Sequence, residues 1–183
     1  MKIIKTEIEG VVILEPRIFA DSRGYFFEAF TERDFAEQVG PVHFVQQNEA
    51  KSSYGVVRGL HFQLPPHSQA KLVHVTRGRV VDVVVDIRHS SPTFGQHITV
   101  ELSDENHRQL FIPHGFAHGY SVLSDEAVVE YKCDNYYAPQ SEGGILWNDA
   151  ALGIDWQVAT DKAILSDKDR LYPTLAECKT LFE

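Results

Sequence analysis

Apolar and polar residues alternate along most of this chain in short runs. VVILEPRIF (11–19), GYFFEAF (24–30), HFVQQNEAKS (43–52), VVRGLHFQ (56–63), KLVHVTRG (71–78), RVVDVVVDI (79–87), GQHITVEL (95–102), RQLFIP (108–113), AHGYSVLS (117–124) and AVVEYKCDNYY (127–137) are rich in β-branched and aromatic residues and separated by Gly, Pro, Asn, Asp or Ser. Each run predicts a strand, and their even spacing predicts a sandwich or jelly roll. Helix is scarce. TERDFAEQV (31–39) opens on a Thr cap, and the tail after Pro173, TLAECKTLFE, repeats Leu175, Cys178, Leu181 and Phe182 at helical spacing, predicting two short peripheral helices.

Period two also sorts the polar residues. Gly59, His61 and Gln63 share one face of 58–63, opposite Leu60 and Phe62; Asp82, Val84 and Asp86 oppose Val81, Val83, Val85 and Ile87. His118 shares a face with Tyr120, and Tyr131 with Cys133. On an ordinary sandwich the decorated face is the wet outer one. Gly59 and Phe62 are poor choices for a solvated surface, and several strands carry polar residues of complementary chemistry, so a polar interior is the sharper expectation.

Composition narrows the partner. The 183 residues, 43% hydrophobic, suffice for one large domain over 1–183, with no linker or composition shift to divide it. With 17 Lys+Arg against 26 Asp+Glu the formal charge is −9, which disfavours a general grip on nucleic acid and leaves room for a local pocket that binds one small anion. No stretch has the length of a membrane span, and the first residues, MKIIKTEIEG, lack the order of a signal peptide. With only Cys133 and Cys178, a reduced cytoplasmic protein is expected.

Jelly rolls often hold a metal. Pro113, Gly115 and His118 form P-x-G-x-x-H, similar to the second half of the metal-binding cupin signature, but the first half is missing: H-x-H is replaced by His61-Phe62-Gln63, with no Glu before Lys71. Two histidines fall short of three or four ligands, and an ammonium nearby would repel a divalent ion, so neither metal nor cofactor is expected.

Seven separated blocks occur here in one order: LEPRIFADSRGYFFE, FVQQNEAKS, VVRGLHFQ, QAKLVHVTRGRVVDVVVDIRHSSPTFG, FIPHGFAHGY, YKCDNYYAPQSEGGILWND and LSDKD. Together, over about residues 5–172, they resemble the dTDP-4-dehydrorhamnose 3,5-epimerases, a metal-independent branch of the cupins. The resemblance implies an all-β, cupin-type jelly roll (a double-stranded β-helix barrel) with few peripheral helices, assembled as a homodimer. It also implies action on a dTDP-4-keto-6-deoxyhexose in dTDP-L-rhamnose biosynthesis. The alternatives are a C3-only epimerase of the same sugar nucleotide and a non-catalytic sugar-nucleotide binding jelly roll.

The C4 ketone of such a sugar acidifies C3–H and C5–H, so inversion needs a base, an enolate stabiliser and an acid on the opposite face. The resemblance gives His61 the role of base, which suits an ordinary pKa of about 6.5, with Asp169 as its partner. Ser166-x-x-Asp169 is equally a helix-capping pattern. Lys71 would face the enolate, though a lysine entering a strand also protects a sheet edge. Tyr131 would be the acid, with Tyr137 a rival for that role or for stacking. By the same carry-over, Arg23, Glu28, Gln46, Asn48, Arg58, Asp82, His118, Tyr137, Glu142 and Lys168 hold nucleotide, diphosphate or sugar, with Arg23 and Glu28 serving the neighbouring subunit's site and Arg favoured for its planar fork on diphosphate.

Overall fold

A computed structural model describes residues 1–179, 181 and 182. Two antiparallel sheets face each other. The six-stranded sheet runs β1 (Lys2–Lys5), β2 (Val12–Glu15), β10 (Gln109–Ile112), β7 (Lys71–Arg77), β12 (Glu126–Cys133) and β5 (Gln46–Ser53). The five-stranded sheet runs β13 (Glu142–Gly144), β6 (Val57–Gln63), β11 (Phe116–Val122), β8 (Arg79–Asp86) and β9 (His97–Ser103). Consecutive strands from β5 to β8 alternate between the sheets, as in a jelly roll. A separate ribbon pairs β3 (Phe19–Asp21) with β4 (Gly24–Phe26).

Period two decides which face goes where. Val73 and Val75 of β7, Leu110 and Ile112 of β10 and Val129 of β12 meet Val80 and Val84 of β8, Leu102 of β9 and Val122 of β11 between the sheets. The alternate residues of the five-stranded sheet, including Leu60, Phe62, Val81, Val83 and Val85, point outward. There Ile145, Trp147, Leu152 and Trp156 of the C-terminal segment roof them over. Gly59, His61, Gln63, Asp82 and His118 therefore occupy the inward phase of their strands. Polar residues can take the interior because the outer face has its own apolar cover.

The outer face of the six-stranded sheet has a smaller cover. Helix α1 (Glu32–Gln38) sinks Phe35 against Phe30, Phe44 and Phe111, with ring centroids 5.2–5.8 Å apart. Burying such a ring is worth roughly 1.5–3 kcal/mol.

Several elements differ from the sequence-based expectation. The run 11–19 breaks after Glu15 because Pro16 supplies no backbone N–H, and 43–52 begins pairing only at Gln46 because Phe44 packs beneath α1 instead. The last strand ends at Cys133, and neither β1 nor β13 is marked by alternation strong enough to predict it. Among the described residues the tail forms no α-helix: it makes one 3₁₀ turn, Leu175–Glu177, whose Thr174 and Glu177 form a capping box. Leu175, Cys178, Leu181 and Phe182 reach the outer cluster along an irregular path, and the His89 N–H donates to the Phe182 carbonyl at 2.8 Å. The predicted tail helix also included Thr180 and Glu183, which lie outside the described residues.

Candidate active site

His61 stands on β6 opposite His118 on β11. The two strands approach closely beside them: a Cβ on Gly59 would lie 2.5 Å from Gly119 Cα, and one on Gly119 would lie 2.6 Å from the Arg58 carbonyl oxygen, so both positions need glycine. Across the sandwich, Tyr131 on β12 pairs with Asn48 of β5 and Val73 of β7, and Lys71 opens β7. A cavity of about 240 Å³ is lined by His61 on one side and by Lys71, Tyr131, Gln46 and Asn48 on the other, with Tyr137 and Glu142 at its edge. An adjoining hollow of about 120 Å³ adds Arg58 and His118, and another adds Lys168 and Asp169; His61 lines all three.

The His61 ring is fixed from behind. Its Nε2 lies 2.5 Å from Asp169 Oδ1. Asp169 is not a helix cap: it sits in a turn where its N–H donates to Ser166 Oγ at 3.2 Å, and its carboxylate goes to the histidine. Burial alone would raise the Asp169 carboxyl, but bonding to His61 and Ser166 outweighs it and holds the pKa below the usual carboxylate value. A carboxylate accepting from Nε2–H leaves Nδ1 of His61 as the proton acceptor.

The second pair is buried. His118 Nε2 stands 2.9 Å from both oxygens of Asp82. Burial pushes the His118 imidazolium down despite the pull of Asp82, so this ring is a neutral donor at physiological pH. Burial likewise pushes the Lys71 ammonium down, while Cys133, Asp82 and Glu142 draw it back up. The Lys71 Nζ lies 5.9 Å from the Tyr131 ring centroid. Burial raises the Tyr131 phenol, which therefore keeps its proton.

Glu142 ties the rim together. It accepts from Lys168 Nζ at 2.5 Å and from the Tyr137 hydroxyl at 3.0 Å, and the Tyr137 N–H donates to Gln46 Oε1 at 3.0 Å. Arg58 donates to Ser52 Oγ at 3.1 Å at the mouth. Gln63 is a clamp, donating to the His67 and Tyr136 carbonyls and accepting from the Ala138 N–H.

Arg23 and Glu28 do not join this group within one chain. Arg23 lies on the exposed β3–β4 ribbon, paired with Asp21 at 2.6 Å and lining a separate hollow with Phe19 and Phe26. Sequence reasoning missed Tyr172, whose ring meets His61 edge-on with centroids 5.7 Å apart. No spacing or motif marks a lone tyrosine in a turn. A second cavity of about 330 Å³ is lined by Phe30, His74, Glu130 and Lys132 among others; there Glu130 accepts from Gln47 and His74 Nε2 is buried without a partner, so no carboxylate holds a histidine as Asp169 holds His61.

A histidine bonded to a carboxylate on one sheet, faced by an ammonium and a phenol from the other, equips the inside of a jelly roll for acid–base chemistry. Residues 5–177 match the sequence profile of the dTDP-4-dehydrorhamnose 3,5-epimerases, and the chain belongs to that family. It is 55% identical over 170 residues to the dTDP-4-dehydrorhamnose 3,5-epimerase of Shigella flexneri, covering 92% of this chain and 93% of the relative. The crystal structure of a dTDP-6-deoxy-D-glucose-3,5-epimerase from Legionella pneumophila in complex with dTDP-4-keto-L-rhamnose superposes with a TM-score of 0.93 at 47% identity, covering 97% of this chain and 94% of that one. A 3'-monoepimerase from Streptomyces bikiniensis in complex with dTDP-quinovose gives a TM-score of 0.86 at 36% identity, covering 93% and 86%.

Proposed function

We propose that this chain epimerises C3 and C5 of dTDP-4-dehydro-6-deoxy-D-glucose, giving dTDP-4-dehydro-L-rhamnose, a step of dTDP-L-rhamnose biosynthesis. The observation that carries the mechanism is the opposition of His61 on β6, backed by Asp169, to Lys71 and Tyr131 on β7 and β12 across one cavity. His61 Nδ1 removes the proton α to the C4 ketone, and Asp169 stabilises the imidazolium that results. The Lys71 ammonium faces the enolate oxygen in a low-dielectric cavity, where its charge acts more strongly than in water. Tyr131 returns a proton from the other side. Its rival Tyr137 is exposed and gives its hydroxyl hydrogen to Glu142, which favours a binding role at the rim. Arg58, Lys168, Gln46, Asn48 and Glu142 hold the nucleotide diphosphate and sugar, with neutral His118, its Nε2–H given to Asp82, lining the pocket as an acceptor at Nδ1.

The chain acts as one domain over 1–183 in a homodimer. The β3–β4 ribbon exposes Phe19, Tyr25 and Phe26 by 51%, 60% and 70%, an apolar surface suited to a second copy, and carries Arg23 and Glu28 toward that copy's cavity. Mixing a His61→Asn protein with an Arg23→Ala protein should restore activity through hybrid dimers; no restoration would place Arg23 in its own chain's site. A cytoplasmic location fits the buried Cys133 thiol, and among the described residues no helix is long and apolar enough to cross a membrane.

The reaction is tested with the 4-keto sugar nucleotide in deuterated water, where deuterium should enter at both C3 and C5 and the L-sugar should form. The structural likeness to a 3'-monoepimerase makes C3 labelling alone the second outcome to look for. Labelling at neither carbon would leave only a binding protein. No metal is needed in this scheme, and among the described residues no three His, Cys, Asp or Glu side chains form a ligand cluster. Activity should therefore survive exhaustive chelation, and its recovery only on adding zinc or iron would overturn the metal-free mechanism.

A further inference from the structure

Gly144 of β13 lies directly opposite His61 of β6. A Cβ at Gly144 would come within 2.5 Å of three carbons of the Tyr172 ring, so that ring fills the space the glycine leaves. From there it meets the His61 imidazole at an interplanar angle of 66° with centroids 5.7 Å apart, the edge-to-face arrangement aromatic rings favour. The backbone beside it is tethered, the Leu146 N–H donating to the Pro173 carbonyl at 2.8 Å. Asp169 precedes Tyr172 by one short turn, closed by the Leu171 N–H to the Lys168 carbonyl at 3.0 Å. The same turn thus delivers the carboxylate to one nitrogen of His61 and an aromatic edge to the ring.

We propose that Tyr172 is a positioning residue for the reaction, its ring seated in the notch at Gly144 and bracing the His61 imidazole so that Nε2 keeps its bond to Asp169 while Nδ1 faces the substrate. This rests on His61 being the base. The aromatic ring carries the effect; the hydroxyl lies beside Lys168, whose ammonium burial opposes but hydrogen bonds to Glu142 and Tyr172 favour. The ring restricts the orientations open to His61, and small misplacements of a base are costly to rate.

Three variants separate ring, hydroxyl and notch. Tyr172→Phe keeps the ring and should hold kcat within about twofold of wild type; Tyr172→Ala removes it and should lower kcat by about 10- to 100-fold with KM little changed. Gly144→Ala, which pushes the ring away, should match Tyr172→Ala; where it does not fold, the Tyr172 pair decides alone. The spectroscopic readout is the downfield proton NMR resonance of the short His61–Asp169 bond, which should persist in Tyr172→Phe and broaden or vanish in Tyr172→Ala. An unchanged kcat and resonance in folded Tyr172→Ala would overturn the proposal, as would a Tyr172→Phe protein as impaired as Tyr172→Ala. Solvent exchange by the wild-type enzyme, lost on His61→Asn, tests the base itself, so failure of that assignment is distinguishable from failure of this one.

Discussion

Two histidine–aspartate pairs sit side by side on β6 and β11, opposite each other in the ladder, with different work to do. His61 retains 28% side-chain exposure within the cavity, and its carboxylate comes from a turn in the C-terminal segment. His118 retains 8%, and its carboxylate comes from the adjacent strand β8. Burial holds the His118 ring neutral even with a carboxylate on Nε2, because removing an imidazolium from water costs more there than the ion pair returns. A histidine–carboxylate pair is therefore not a base by composition. In the proposed mechanism, exposure to the cavity lets His61 accept the substrate's proton, while enclosure leaves His118 as a ring fixed by its Nε2–H bond to Asp82.

The sharpest way to break this distinction is to exchange each ring for asparagine. His61→Asn should cost 100-fold or more in solvent exchange and in turnover, roughly the contribution of a general base, without loss of fold. His118→Asn should act mainly on KM, by about tenfold, because it removes a pocket-lining ring and the partner of Asp82 and leaves His61 in place. Equal losses of exchange in the two proteins would erase the difference. Near-normal turnover in folded His61→Asn would remove the base altogether.

Tyr131→Phe probes the opposite sheet and should have a smaller effect on exchange than on inversion. His61 and Lys71 remain, so the enolate still forms, but the proton returns mainly from the His61 face. In deuterated water the starting sugar should gain deuterium with its configuration largely kept while the yield of L-sugar falls by about 10-fold or more. Equal losses of exchange and inversion would mean that Tyr131 is not the acid alone, and would return Tyr137 or a water to that role.

The jelly roll was legible because β-branched alternation between turn residues survives into the paired strands, as RVVDVVVDI does in β8. The inward direction of His61 was legible only in part: alternation puts it with Gly59 and Gln63, but which face is inside depends on Ile145, Trp147 and Trp156, far along the chain. Asp82 and Asp86 share one phase of β8, and alternation cannot distinguish them. Burial would raise the Asp86 carboxyl, yet bonds from Arg88, Ser91 and Thr93 hold it at about 2, in a structural network away from the cavity. The individual site roles came from the family resemblance, since a helix cap at Asp169 or an edge lysine at Lys71 has the same local sequence. Tyr172 carried no signal because its importance lies in the shape of a notch at Gly144, a property of packing.

The smallest expected effect concerns how the buried pair acts on its neighbour. Asp82→Asn keeps an oxygen to accept from His118 Nε2–H, and His118 becomes no more charged, because Asp82 was what drew its pKa upward. Lys71 should respond instead. Burial lowers its pKa, and Asp82 is one of the groups, with Glu142 and Cys133, that oppose the fall; Cys133, pushed up to about 11, stays a thiol near neutrality and cannot replace the lost charge. In the proposed mechanism Lys71 works as the ammonium, so activity should be present below its pKa and be lost as pH rises through it. Tyr131 is shifted the other way and does not set this limb. Without Asp82 the Lys71 pKa falls further, and the alkaline limb of the kcat profile should move to lower pH, a few-fold loss of rate on the alkaline side with little change near neutrality. An alkaline limb left in place in folded Asp82→Asn would mean that the charge facing the enolate is not governed by the buried pair, and would make His118–Asp82 a purely structural counterpart of His61–Asp169.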